Sequence, residues 1–214
     1  MSSSPFSPLS LPQASQSAAA NDARDAFLAE RARGGASREI ARSAPTSSAS
    51  ASSAPSSSAL NVVQQAIANA ARSTSVDFDY LVAQAQVESA MDPSAKAPTS
   101  SASGLYQFIE ATWLNTMKRH GSRFGLGDIA EQIGVTRSGS AYVANPQQRA
   151  AILSLRNDPE IASLMAAGLA EDNRAHLTPI LGRQPESSEL YLAHFLGAGG
   201  AGRFLSAMQS NPAH

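Results

Sequence analysis

The stretch FDYLVAQAQVESAMDP, Phe78 to Pro93, decides how the rest of the chain is read. Wound as a helix, it sets Phe78, Leu81, Val82 and Ala85 at the i, i+3, i+4, i+7 spacing of one buried face. Positions 88 and 89 continue that stripe, and they are Glu88 and Ser89. Burying an unpaired carboxylate is costly. Glu88 is therefore either a partner in a buried ion pair, for which Arg149 and Arg174 are the candidates, or it stands there for its chemistry. Ser75 or Asp77 is placed to cap the helix start. Pro93 disfavours helical backbone at Asp92, so the helix is expected to end near Met91.

Composition narrows the function classes. The chain has 214 residues, 43% of them hydrophobic, a net charge of −1 and no cysteine. No disulfide or thiolate metal site can form. A near-zero charge speaks against nucleic-acid binding, which requires a basic stripe. No apolar run reaches the roughly 18 residues of a membrane span. The start, MSSSPFSPLSLPQASQSAAAND, lacks the basic and apolar regions of an ordinary secretory signal. His120, His176, His194 and His214 show no metal-ligand spacing, so neither a metal nor another cofactor is expected.

Residues 1–58 are dominated by Ser, Ala and Pro, as in SAPTSSASASSAPSSS. Such a segment cannot bury enough apolar surface to offset its ordering entropy. It is expected to be a disordered tail, with one possible short helix over 22–33. From residue 59 to about 210 helical signals dominate, and an all-α domain is expected. ALNVVQQAIANAARS sets Leu60, Val63, Ile67 and Ala70 on one face. After the polar loop SAKAPTSSASG, a helix is expected over Leu105–Gly121. SRFGLGDIAEQIGVTRSGSAY reads as a long loop with a short helix inside. Later helices are expected to open at Asn145, Asp158 and Pro185, as caps or first-turn prolines, and GAGRFLSAMQ closes the domain. No strand pair is expected.

Glu88-Ser89 at the end of one helix, a Ser-rich loop, and then Gly104-Leu105-Tyr106-Gln107 form the pattern VESAMDPSAKA…SASGLYQFIEATW. It resembles the catalytic region of soluble-type lytic transglycosylases, the SLT family, which share the goose-type lysozyme fold. In that family an ES pair carries the acid and a GLMQ turn follows a short loop. The resemblance runs from about Leu60 to Met208 and is strongest between Val76 and Trp113.

The resemblance implies a lysozyme-like helical domain that cleaves the β-1,4 bond between N-acetylmuramic acid and N-acetylglucosamine, with Glu88 as the catalytic acid and base. A carboxyl group protonates the leaving oxygen only while it is itself protonated near neutral pH. Apolar neighbours and the negative end of a helix dipole both favour that form. No second carboxylate lies on a comparable stripe. Asp92 reads as a turn residue and Glu110 falls on a polar helix face, leaving Asp128 and Glu131 as distant candidates. In the family the muramic 6-hydroxyl closes onto the anomeric carbon, giving a 1,6-anhydro product without water. Ser89, Gly104, Leu105, Tyr106 and Gln107 are the expected substrate-binding residues around the acid. Ser89 would orient Glu88 or its backbone. The Gln107 amide would meet an acetamido group or tether its own loop, and Trp113 would be core or a sugar platform.

The family's C-terminal AYNAG motif is altered. Here the segment is AHFLGAGGA, read with His194-Phe195-Leu196-Gly197 where Ala-Tyr-Asn-Ala would stand. Phe195 keeps a ring and loses the hydroxyl; Tyr191, one turn earlier, is the candidate to replace it. Three outcomes follow: a lytic transglycosylase, a hydrolytic muramidase on the same bond, or a non-catalytic glycan-binding module on a lysozyme fold. The expected partner is peptidoglycan, which sets the place of action in the periplasm or cell envelope. Without a recognisable signal, the N-terminal tail is expected to meet a flagellar or type III export apparatus.

Overall fold

The computed structural model describes residues 57–210. The segment up to 56, with the short helix expected over 22–33, lies outside the described residues. Among those described, eight α-helices dominate. They are α1 (Ser57–Ser73), α2 (Phe78–Ser89), α3 (Glu110–His120), α4 (Gly127–Glu131), α5 (Pro146–Ser154), α6 (Pro159–Leu181), α7 (Ser187–Leu196) and α8 (Ala198–Ser210). The fold is all-α, as the periodicity predicts.

The main core gathers the apolar faces of α1 to α6 with the front of α7. Val63, Ile67 and Ala70 of α1 and Leu81 and Ala85 of α2 meet Trp113 and Met117 of α3 and Met165 and Ala166 of α6. α1 lies along α6, the longest helix. A smaller cluster, Leu177, Ala193, Ala201 and Leu205, joins the end of α6 to α7 and α8. The predicted caps form at two helices. Asn145 Oδ1 accepts from the N–H groups of Gln147 and Gln148, and Asp158 Oδ1 from those of Glu160 and Ile161.

Four expectations need correction. The helix expected from Leu105 begins at Glu110; Leu105 and Phe108 are buried by the preceding loop instead, in which Gln107 adopts a positive φ of 48° that no α-helix accommodates. Gly121 does not end that helix in the left-handed form, because its φ is −53° and the chain tightens into a 3₁₀ turn, Gly121–Phe124. Pro185 precedes its helix by two residues; Glu186 is the cap, exchanging side-chain hydrogen bonds with Glu189 in a capping box. A two-residue antiparallel pair, Gly134–Val135 with Ala141–Tyr142, closes the segment expected to be loop. A Cβ on Gly134 would meet the exposed Tyr142 ring at 2.7 Å, so that ring would have to swing outward to admit one.

Candidate active site

α2 carries Glu88 one residue before its end, where Ala90 turns left-handed (φ 52°); the Ala90 N–H donates to the Gln86 carbonyl and the Met91 N–H to that of Ala85. The stripe departs from expectation at its first member: Phe78 is 39% exposed, and Tyr80 and Gln84 join Leu81 and Ala85 in the buried face. At the other end the Glu88 side chain is only 5% exposed. Among the described residues no arginine pairs with it. Arg149 pairs with Glu110, and Arg174 donates to the Ser75 carbonyl and hydroxyl at 2.8 and 2.9 Å. Both ion-pair candidates are thus engaged elsewhere.

The groups that do reach Glu88 come from α7. The Tyr191 hydroxyl donates to Glu88 Oε1 across a long 3.3 Å. His194 Nε2 lies 3.7 Å from the same oxygen. Among the described residues no hydrogen bond engages Oε2. Tyr80 stands close by in the field of the site. Burial raises its phenol well above the ordinary value, Tyr191 adds to this, Arg174 opposes it and Glu88 adds again. Its hydroxyl therefore stays protonated.

The turn after the Ser-rich loop is held as tightly as the helix. Asp92 makes the expected local turn, accepting from the Ser94 N–H and hydroxyl at 2.8 and 2.7 Å. Gly104 donates its N–H to the Ala95 carbonyl at 2.8 Å, and Ser103 pairs with both Lys96 and Phe108. Arg156 then clamps the loop from the far side, donating to the Ser101 and Phe108 carbonyls at 2.5 and 3.0 Å. Burial lowers the pKa of that guanidinium, which nonetheless remains the cation of the clamp. Ser89 joins helix to turn: its hydroxyl lies 2.8 Å from the Leu105 carbonyl and 3.1 Å from that of Ala85.

Several expected substrate contacts fall inside the protein. Leu105 and Tyr106 are fully buried, so neither side chain can meet a sugar. Gly104, at φ +82°, packs against Arg156; a Cβ would stand 1.8 Å from that residue's carbonyl oxygen. The Gln107 amide donates to the Ala95 and Gly104 carbonyls, which is the loop-tethering alternative. Trp113 is core, its indole N–H donating to the Ile152 carbonyl at 2.8 Å and its ring edge-on to Phe108. Asp128 and Glu131 are exposed, and the described side chains that reach Glu88 are those of Tyr191 and His194 instead.

Two residues of the assembly were not singled out from the sequence as site residues. His194 stands three positions after Tyr191 on one face of α7, a spacing that signals their pairing. Arg156 sits in a 3₁₀ turn and carried no signal in the linear chain. A groove of about 380 Å³ opens between α2 and α7; Tyr80, Gln84, Val87 and Tyr191 are among its lining residues, and Glu88 is not. Among the described residues no cluster of His, Cys, Asp or Glu is arranged to hold a metal ion, and no helix is long and apolar enough to cross a membrane.

A helical domain with a buried, guanidinium-free carboxylate at a helix end, above a hydrogen-bonded glycine turn, has the make-up of a lysozyme-like domain. Residues 65–133 match the model of the transglycosylase SLT domain, and this part of the chain is an SLT domain. The match takes in Glu88 and the Gly104–Gln107 turn and stops before α7, which supplies Tyr191 and His194. The domain type supports peptidoglycan cleavage of the lytic transglycosylase kind in general.

Proposed function

We propose that the chain is a lytic transglycosylase that cuts the β-1,4 bond between N-acetylmuramic acid and N-acetylglucosamine, with Glu88 as acid and then base. The observation that carries this reading is the state of Glu88: a side chain 5% exposed, with no guanidinium partner among the described residues and with both α7 contacts on Oε1. A structural carboxylate at such a position would be expected to hold a cation. A catalytic one needs a free oxygen turned toward the substrate.

In the reaction, Glu88 gives its proton to the leaving O4 as the C1–O4 bond breaks. The substrate's N-acetyl group supports the anomeric carbon, as in glycosidases that work without a second protein carboxylate. The muramic O6 then bonds to C1, and its proton passes to the Glu88 carboxylate. The acid is restored and no water is consumed. Tyr191 takes the part of the missing motif hydroxyl. AHFLG set on AYNAG residue for residue puts His194, not Phe195, in the tyrosine's place, and this register accords with the 3.7 Å approach to Glu88.

Incubation of the chain with purified sacculi tests the reading. Soluble muropeptides with 1,6-anhydro ends are expected from the native chain and none from Glu88→Gln. Products heavier by one water would mean hydrolysis, a muramidase. No release by the native chain would leave a glycan-binding module.

A further inference from the structure

We propose that His194 is a positioning residue for Glu88: together with Tyr191 it holds Oε1, so that Oε2 is the oxygen that gives and takes the proton. The inference rests on the reading of Glu88 as the acid and base. Four observations support it. His194 Nε2 is 3.7 Å from Glu88 Oε1, the same oxygen that accepts from Tyr191 at 3.3 Å. The imidazole and phenol rings lie nearly parallel, 28° apart with centroids 6.2 Å from each other, so the two side chains approach the carboxylate as one unit. The His194 side chain is only 15% exposed, which limits competition from water. Finally, α7 is anchored at its start by the Glu186–Glu189 capping box and by Arg183, which donates to both Glu189 oxygens at 2.8 Å.

The chemistry explains why two donors should converge on one oxygen. Once Glu88 has protonated the leaving group it carries a negative charge in a site without a guanidinium. Resonance shares that charge over both carboxylate oxygens, so hydrogen bonds set in advance on Oε1 stabilise that state without further reorganisation. At 3.7 Å the imidazole is just outside hydrogen-bond range, and such contacts tighten when substrate closes the site. The ring must present an N–H at Nε2, as the corresponding neutral tautomer or as imidazolium. The titratable groups around the pair are Glu88 and Tyr80 from α2 and Tyr191 from α7, with Arg174 of α6 acting on Tyr80.

Turnover of soluble glycan strands by the full chain separates a positioning role from packing. His194→Phe keeps a ring to lie against Tyr191 but removes the N–H. His194→Gln keeps an amide N–H near the place of Nε2 without the ring. The Phe variant is expected to lose roughly 10–100-fold in kcat with KM nearly unchanged, and the Gln variant to recover most of that loss. Wild-type kcat in His194→Phe would overturn the inference. So would a ranking by ring rather than by donor, with Phe active and Gln impaired. Glu88→Gln, run in parallel, keeps the two ideas distinct. If it retains activity, the acid assignment falls and this inference with it; if it is inactive while His194→Phe is unimpaired, only the role of His194 falls.

Discussion

The Ser89 hydroxyl lies 2.8 Å from the Leu105 carbonyl, spanning from the last residue of α2 to the middle of the glycine turn. This bond ties the element that carries the carboxylate to the loop that faces it. Among the described residues Ser89 has no histidine or lysine as a hydrogen-bond partner that could make it a nucleophile. Its replacement should therefore act through geometry. Ser89→Ala leaves the buried Leu105 carbonyl without this donor and should cost about 1 kcal/mol of stability. Activity should fall by more than the unfolded fraction explains, because Glu88 is the adjacent residue. Urea unfolding and sacculus cleavage on the same preparation check both parts.

The Tyr191 hydroxyl, not a group on Phe195, is the phenol at Glu88. Tyr191→Phe should lower kcat by roughly tenfold, the smaller end of what a hydrogen bond to a charged group contributes, given its 3.3 Å length. Phe195→Tyr should be nearly silent in rate and product. If Phe195→Tyr instead raises activity and Tyr191→Phe has no effect, the site has been assigned the wrong ring.

How far the sequence could be read depended on whether the signal was local. The Glu88 position was legible because the α2 stripe and Pro93 lie within one short stretch, and the Asn145 and Asp158 caps because each acts two or three residues away. The α3 start was misread because Leu105 and Phe108 fit a helical stripe; the positive φ at Gln107 leaves no mark on apolar periodicity. The Gly134–Tyr142 pair was too short to alternate. The packing of Gly104 against the Arg156 carbonyl joins remote parts of the chain and leaves no local mark. The union of Glu88 with Tyr191, 103 residues away, is a tertiary fact that no local pattern carries.

Gly104 offers a test of the turn as a built structure. At φ +82° an L-side chain is strained, and the added Cβ would sit 1.8 Å from the Arg156 carbonyl oxygen, a backbone atom that cannot swing aside. Gly104→Ala should cost more than about 2 kcal/mol, combining the backbone strain with displacement of the Arg156 turn. Gly139 is the control. It has a similar φ of +85° but nothing within 4 Å of an added Cβ, so Gly139→Ala should cost only the conformational part. Equal melting temperatures for the two variants would show that the packing against Arg156 contributes nothing.

Acid should weaken the fold through Asp172. Burial pushes its carboxyl up, but the His120 hydrogen bond and charge, followed by Arg119, outweigh burial and hold it below the ordinary value. His120 Nε2 lies 2.9 Å and Arg119 Nη1 2.6 Å from Asp172 Oδ2. A carboxyl whose pKa is lowered by folding contributes stability that is complete above the unfolded value of about 4 and is lost as pH falls through the lower folded value. Asp172→Asn should therefore be less stable than the native chain at pH 7, and the gap should close as the pH drops below about 4. Denaturant midpoints measured across that range decide the matter, and a gap that widens toward acid would reverse the assigned sign.

Glu88→Gln separates catalysis from stability in a single substitution. The amide keeps shape and volume, and its oxygen can still accept from Tyr191, but there is no proton to transfer. General acids contribute typically about 10²–10⁴-fold, and cleavage of sacculi should fall at least that far. Stability should not fall with it. Arg149 and Arg174 already have other partners, so the change strands no buried guanidinium. What it removes is a carboxylate desolvated at the end of an apolar stripe, and a neutral group there should leave the melting temperature unchanged or higher. Loss of a structural ion pair would instead cost several kcal/mol, about 3–5. A Glu88→Gln chain that melts lower by that amount and still releases anhydro-muropeptides would remove Glu88 from the chemistry.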